Sequence, residues 1–112
     1  MNAEARNING ITILDVVGHV DLGSSPAFRR TMLECLKNAD RLAVNLIEVK
    51  YIDSSGIASL LEVLKEARTT GKQFALFGLT AAVREVLQLT RLTGVFTIYK
   101  SEEELLDAGA KA

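Results

Sequence analysis

The chain has 112 residues, 48% of them apolar, and a formal charge of −1, with no basic block or stripe that would support a nucleic-acid role. Its longest apolar runs fall far short of a membrane span, and Met1-Asn2-Ala3-Glu4 lacks the charge-then-apolar order of a signal peptide. A single cysteine, Cys35, excludes an internal disulfide and, with one histidine in the chain, leaves no metal-ligand cluster. These features predict one cytoplasmic domain spanning residues 1–112, with a core at about 8–107 and no metal or cofactor.

Ala3 to Ile8 reads as a weak edge strand, turned at Asn9-Gly10, a strong hairpin signal. Ile11 to Val17 follows as a strand of mostly β-branched residues. Ser25 before Pro26 gives a cap and first-turn pair, behind which Phe28, Met32, Cys35 and Leu36 share one helical face. Leu42 to Val49 is an apolar run broken by Asn45, which suits a strand covered on both faces.

The run ends in Tyr51-Ile52-Asp53-Ser54-Ser55-Gly56-Ile57, where strand character gives way to a helix start capped by Asp53 or Ser54. From Gly56 to about Thr69, Ile57, Leu60, Leu61 and Leu64 form the inward stripe, which leaves Ser59, Glu62, Val63 and Glu66 outward. Gln73 to Phe77 predicts a short strand. Thr80 then caps a helix burying Val83, Val86, Leu87 and Leu89, interrupted by Gly94. Val95 to Tyr99 returns to strand character, and Ser101 with Glu104 forms a capping box for a last helix packed through Leu105 and Leu106. Ala108 to Ala112 are expected to fray. The alternation predicts an α/β fold: a mixed, mainly parallel sheet opened by an antiparallel hairpin and covered by about four helices.

Catalytic chemistry is conspicuous by its absence. Gly71-Lys72 is no phosphate loop, because Glu66 stands where the first glycine belongs. A Ser54, His19 and Asp21 triad can be written down, but Asp-Ser-Ser-Gly is not the strained elbow of a serine hydrolase. His19 is expected in a loop beside a strand end. The reading is a protein that is not an enzyme.

The segment Ile52-Asp53-Ser54-Ser55-Gly56-Ile57 resembles the signature of bacterial anti-sigma-factor antagonists, the STAS domain family. The likeness continues through Gly18-His19-Val20-Asp21, Leu42-Ala43-Val44-Asn45-Leu46, Gly71-Lys72 with Phe74-Ala75-Leu76-Phe77-Gly78, and Val83 to Phe96. Residues 8 to 100 are covered in family order. Arg91 departs from the pattern, standing where the family often has glycine.

The resemblance implies a phosphorylation-switched binding module that sequesters an anti-sigma-factor kinase while Ser54 is unphosphorylated and releases it afterwards. The kinase would supply ATP and magnesium, and a phosphatase would restore the free hydroxyl. No nucleic acid and no membrane insertion are implied. Ser54, directly after the aspartate, is the implied phosphoacceptor, although Ser55 is chemically equivalent. Asp21, Asp53, Ser55, Gly56, Ser59, Glu62 and Val63 are the candidate partner-binding residues. A noncatalytic STAS subunit of a membrane transport complex, such as a phospholipid ABC-type ATPase, is the alternative; such relatives often lack the double serine.

Overall fold

The computed structural model describes residues 1–110. Five strands form one sheet in sequence order: β1 (Asn2–Ile8), β2 (Ile11–Val20), β3 (Arg41–Ile52), β4 (Gln73–Phe77) and β5 (Thr97–Tyr99). β1 and β2 pair antiparallel; every later neighbour is parallel. Four helices intervene or follow: α1 (Ser25–Lys37), α2 (Ser54–Thr69), α3 (Ala81–Leu89) and α4 (Glu102–Ala110). The α/β expectation therefore holds in class, connectivity and hairpin.

Asn9 and Gly10 both take positive φ, 53° and 79°. That is the turn whose twist matches the flanking strands. Beyond it, strand alternation divides the apolar residues between two layers. Leu14, Val16, Leu42, Val44, Leu46, Phe74 and Leu76 point to one face, where they meet Phe28, Met32 and Leu36 of α1, Ile57, Leu60, Val63 and Leu64 of α2, and Val83 and Leu87 of α3. Ile11, Ile13, Ala43 and Phe77 point to the other, where Leu105 of α4 covers them. The central strands are apolar on both sides because both sides are covered there.

On that second face Arg6 ties three strands to α4. Its Nε lies 2.7 Å from Asp15 Oδ2, it also pairs with Glu102, and Asn45 Nδ2 donates to Asp15 Oδ1 at 2.8 Å. The Arg6 hydrogen bond, helped by that of Asn45, holds the Asp15 carboxyl below the usual carboxylate range.

Several boundaries differ from the expected ones. β2 and β3 run on to Val20 and Ile52 because their distal residues pair with each other across two register shifts. His19 therefore lies within β2, its ring edge-on to Tyr51 with centroids 6.0 Å apart. The N-cap position of α1 is Ser24, whose hydroxyl makes no capping bond to the helix, and Ser25 is its first residue and buried. Leu89, at 76% exposure, lies outside the core. β5 begins at Thr97 rather than Val95. α4 continues through Ala108–Ala110, so the expected fraying does not begin there; Lys111 and Ala112 lie outside the described residues. The Ser101 hydroxyl accepts from Glu104 N at 3.1 Å, while the Glu104 carboxylate reaches Lys100 N, one residue earlier than a capping box requires.

Candidate functional site

The last paired residues of β2 and β3, Val20 and Ile52, lie side by side, and Asp53 N donates to Val20 O at 3.1 Å. Asp21 and Asp53 thus leave neighbouring strands together, one into the loop before α1 and the other into α2. Asp53 has extended φ/ψ and caps α2: its Oδ1 accepts from Ser55 N at 2.9 Å and Gly56 N at 3.3 Å. The Ser55 hydroxyl donates to the same oxygen at 2.5 Å. This bond first, then the Gly56 and Ser55 amides with the Leu22 amide of the facing loop, holds the Asp53 carboxyl below the ordinary range.

The two serines are thereby distinguished. Ser55 is half-buried and committed to Asp53. Ser54, the first helical residue, is exposed, and its hydroxyl makes no hydrogen bond among the described residues.

Gly56 is buried, and its role is steric. A Cβ there would lie 2.6 Å from Ile52 Cγ1 and 2.9 Å from Val20 Cγ1. Its hydrogen lets α2 start directly over the strand ends, so what comes close is side chains rather than another backbone.

Asp21 is exposed and folds its carboxylate back into its own loop, accepting from Gly23 N at 3.0 Å and Ser24 N at 3.1 Å. The Ser24 hydroxyl closes the loop by donating to His19 O at 3.1 Å and accepting from Asp21 N at 3.0 Å. Leu22, between them, is 77% exposed. Sequence reasoning passed over it; the available signal was one large apolar residue in an otherwise polar Asp-Leu-Gly-Ser turn.

Two residues expected to face outward do not. Ser59 is 3% exposed and Val63 fully buried. α2 packs against α1 as well as the sheet, so its buried surface is wider than one stripe and takes in Gly56, Ser59, Val63 and Ala67. The Ser59 hydroxyl is satisfied there by sharing its one proton between Ser55 O at 3.0 Å and Ser25 O at 3.3 Å, the back-bonding that lets serine sit inside a helix. Leu61, placed in the core stripe, is only partly buried. Glu62 and Glu66 line the outer side as expected; the Glu62 carboxylate approaches Arg29 Nε of α1 at 3.5 Å.

Ser54, His19 and Asp21 form no hydrogen-bonded triad: the His19 ring packs edge-on against Tyr51, and Asp21 is held within its own turn. Among the described residues no group of His, Cys, Asp and Glu is arranged to hold a metal, and no helix is long and apolar enough to cross a membrane.

A profile of the STAS domain matches residues 2–105. The chain belongs to the STAS domain family. Among its relatives, the anti-sigma-B factor antagonist of Listeria monocytogenes is 26% identical over 91 residues, 80% of each chain. The anti-sigma-B factor antagonist of Bacillus subtilis strain 168 is 24% identical, over 88% of this chain and 89% of its own. In three dimensions this STAS domain resembles a Thermotoga maritima protein described as an anti-sigma factor antagonist, with a TM-score of 0.87 at 22% identity over 95% and 92% of the two chains. Unphosphorylated SpoIIAA, another anti-sigma factor antagonist, superposes with a TM-score of 0.81 at 18% identity over 99% and 98%. These likenesses show that the mixed sheet and four helices are the STAS fold.

Proposed function

We propose that this STAS domain is an anti-sigma-factor antagonist switched by phosphorylation of Ser54. Unphosphorylated, it binds an anti-sigma-factor kinase and so frees a sigma factor; phosphorylated, it lets go. The observation that carries the reading is the division of labour at the start of α2, where Ser54 is exposed and unbonded while Ser55 is tied to Asp53. Relatives named as antagonists of anti-sigma factors support it.

The same geometry accounts for release. A phosphate on Ser54 adds about −1.5 to −2 charges at pH 7. The helix N-terminus favours an anion, but its Ser55 and Gly56 amides already serve Asp53. The phosphate is therefore left beside the Asp53 carboxylate, with Asp21 on the loop from the neighbouring strand, facing whatever covers the surface. Burying that charge against a partner costs on the order of a few kcal/mol, the scale of an unpaired charge at an interface. The contact surface in this reading comprises Asp21, Leu22, Asp53, Ser54 and the outward Glu62; Gly56, Ser59 and Val63 shape it from beneath. ATP and magnesium belong to the kinase, and a phosphatase resets the switch.

Incubation with its cognate anti-sigma-factor kinase and magnesium-ATP, followed by site-resolved mass spectrometry, tests the assignment. Phosphate is expected on Ser54 alone, with Ser54→Ala still binding the kinase. Phosphate confined to Ser55 overturns the site, and unchanged kinase affinity after complete Ser54 phosphorylation overturns the release mechanism.

A further inference from the structure

We propose that the open edge of β1 pairs antiparallel with the same strand of a second copy of this chain, joining two sheets into one. β1 is the terminal strand of the sheet and spans seven residues, Asn2–Ile8, against three in the strand at the other edge. Such an edge is a row of unpaired N–H and C=O groups, a template for another strand.

The hairpin fixes which groups are open. A two-residue turn with positive φ at both positions closes on a hydrogen-bonded pair, here Ile8 and Ile11. Alternation then directs the backbone groups of Ile8, Arg6, Glu4 and Asn2 towards β2. Those of Asn7, Ala5 and Ala3 point to the open edge.

A two-fold axis through Ala5 satisfies all of them. Ala5 meets the second copy's Ala5, and Ala3 meets its Asn7, each at hydrogen-bonding positions. Glu4 then falls opposite Arg6 twice, at the non-hydrogen-bonded positions where side chains approach most closely. Within its own hairpin Glu4 faces Asp15, a like charge, and makes no ion pair among the described residues. The second copy supplies the cation that Glu4 lacks. Arg6 already holds Asp15 and Glu102, but its side chain is 36% exposed and one Nη1 hydrogen is uncommitted to receive it. Centring the pair on Ala3 or Asn7 instead sets Glu4 against Asn2, or Arg6 against Ile8, and loses both ion pairs. The charges that usually guard an edge here select one register. On the opposite face the edge carries only Ala3, Ala5 and Asn7.

Amide exchange followed by NMR from micromolar to millimolar protein, with sedimentation velocity on the same samples, tests the pairing. Asn2, Glu4, Arg6 and Ile8 should be protected at every concentration. Ala3, Ala5 and Asn7 should gain protection only as the dimer forms. Glu4→Lys replaces two attractions with two repulsions and should weaken dimerisation roughly tenfold, while within the fold the introduced ammonium faces Asp15 favourably. Ala5→Pro, which removes an edge donor that the monomer does not use, should abolish it. Unprotected Ala3, Ala5 and Asn7 amides at all concentrations, or a dimer undiminished in both variants, would overturn the proposal.

Discussion

At Asp53 one carboxylate does several jobs, and substitution separates them. Asp53→Ala removes the cap and should cost about 0.5–2 kcal/mol in chemical denaturation. Ser55→Ala removes one donor to that carboxylate and should cost about 0.5–1.5 kcal/mol. Ser54→Ala breaks nothing in the fold and should stay within about 0.5 kcal/mol of the parent. Acid adds a second check. Hydrogen bonds to the ionised form depress the Asp53 pKa in the folded state from its ordinary 3.8. Its contribution to stability is therefore complete above that unfolded value and fades as pH falls through the lower folded one. Asp53→Asn should narrow its stability gap from the parent as pH drops below 3.8, followed by denaturant titration at each pH. A gap that widened instead would reverse the sign of the shift. Asp15, depressed chiefly by Arg6, adds to the same acid-side loss. Of all this the sequence disclosed the residue types and their order, since Asp-Ser-Ser-Gly at a strand-to-helix break is a cap by composition. Which serine the carboxylate engages depends on side-chain torsions that spacing does not encode.

The helices show where periodic reading works and where it fails. In α2 the 57, 60, 64 stripe is buried as spacing predicts, because these residues face the sheet. Ser59 and Val63 were misplaced because a second neighbour, α1, buries another side of the helix, and one strand of text does not say how many partners a helix has. Serine also reads as polar until its hydroxyl is seen bonded to the turn before it. Gly56 is where α2 comes too close to the strand ends to admit a side chain. Gly56→Ala should cost about 1–3 kcal/mol, because the new methyl presses on Ile52 and Val20 from neighbouring β-strands. Just past the end of α3, Arg91 holds φ at 59°, and its N–H donates to Gln88 O at 3.1 Å. This is the left-handed position at which helices favour glycine. The strain of a side chain there outweighs the extra freedom glycine has when unfolded, so Arg91→Gly should stabilise by about 0.5–1 kcal/mol, read as a higher denaturation midpoint with an unchanged slope. The departure from family pattern visible at Arg91 is thus a small energetic burden at an exposed helix end.

Across the molecule, the two apolar layers are sealed on either side of β2, β3 and β4, while Ser54 stands outside both at the strand ends. A charge added there meets no buried apolar group and breaks no hydrogen bond of the fold. The proposed switching by local repulsion therefore requires a core that does not respond. Phosphorylated protein should show amide shift changes confined to about residues 20–25 and 52–59, where the Asp21 loop and the first turns of α2 surround the new charge. Residues of the second layer, such as Ile13, Ala43, Phe77 and Leu105, should keep their positions and their exchange protection. The free energy of unfolding should fall by less than the free energy of kinase binding, since in the proposed switch the free protein leaves the phosphate in water and only the complex must bury it. Widespread shifts reaching α4, or a stability loss equal to the affinity loss, would instead identify a refolding switch. The comparison needs heteronuclear spectra of both forms, denaturation curves of both, and one kinase-binding isotherm for each.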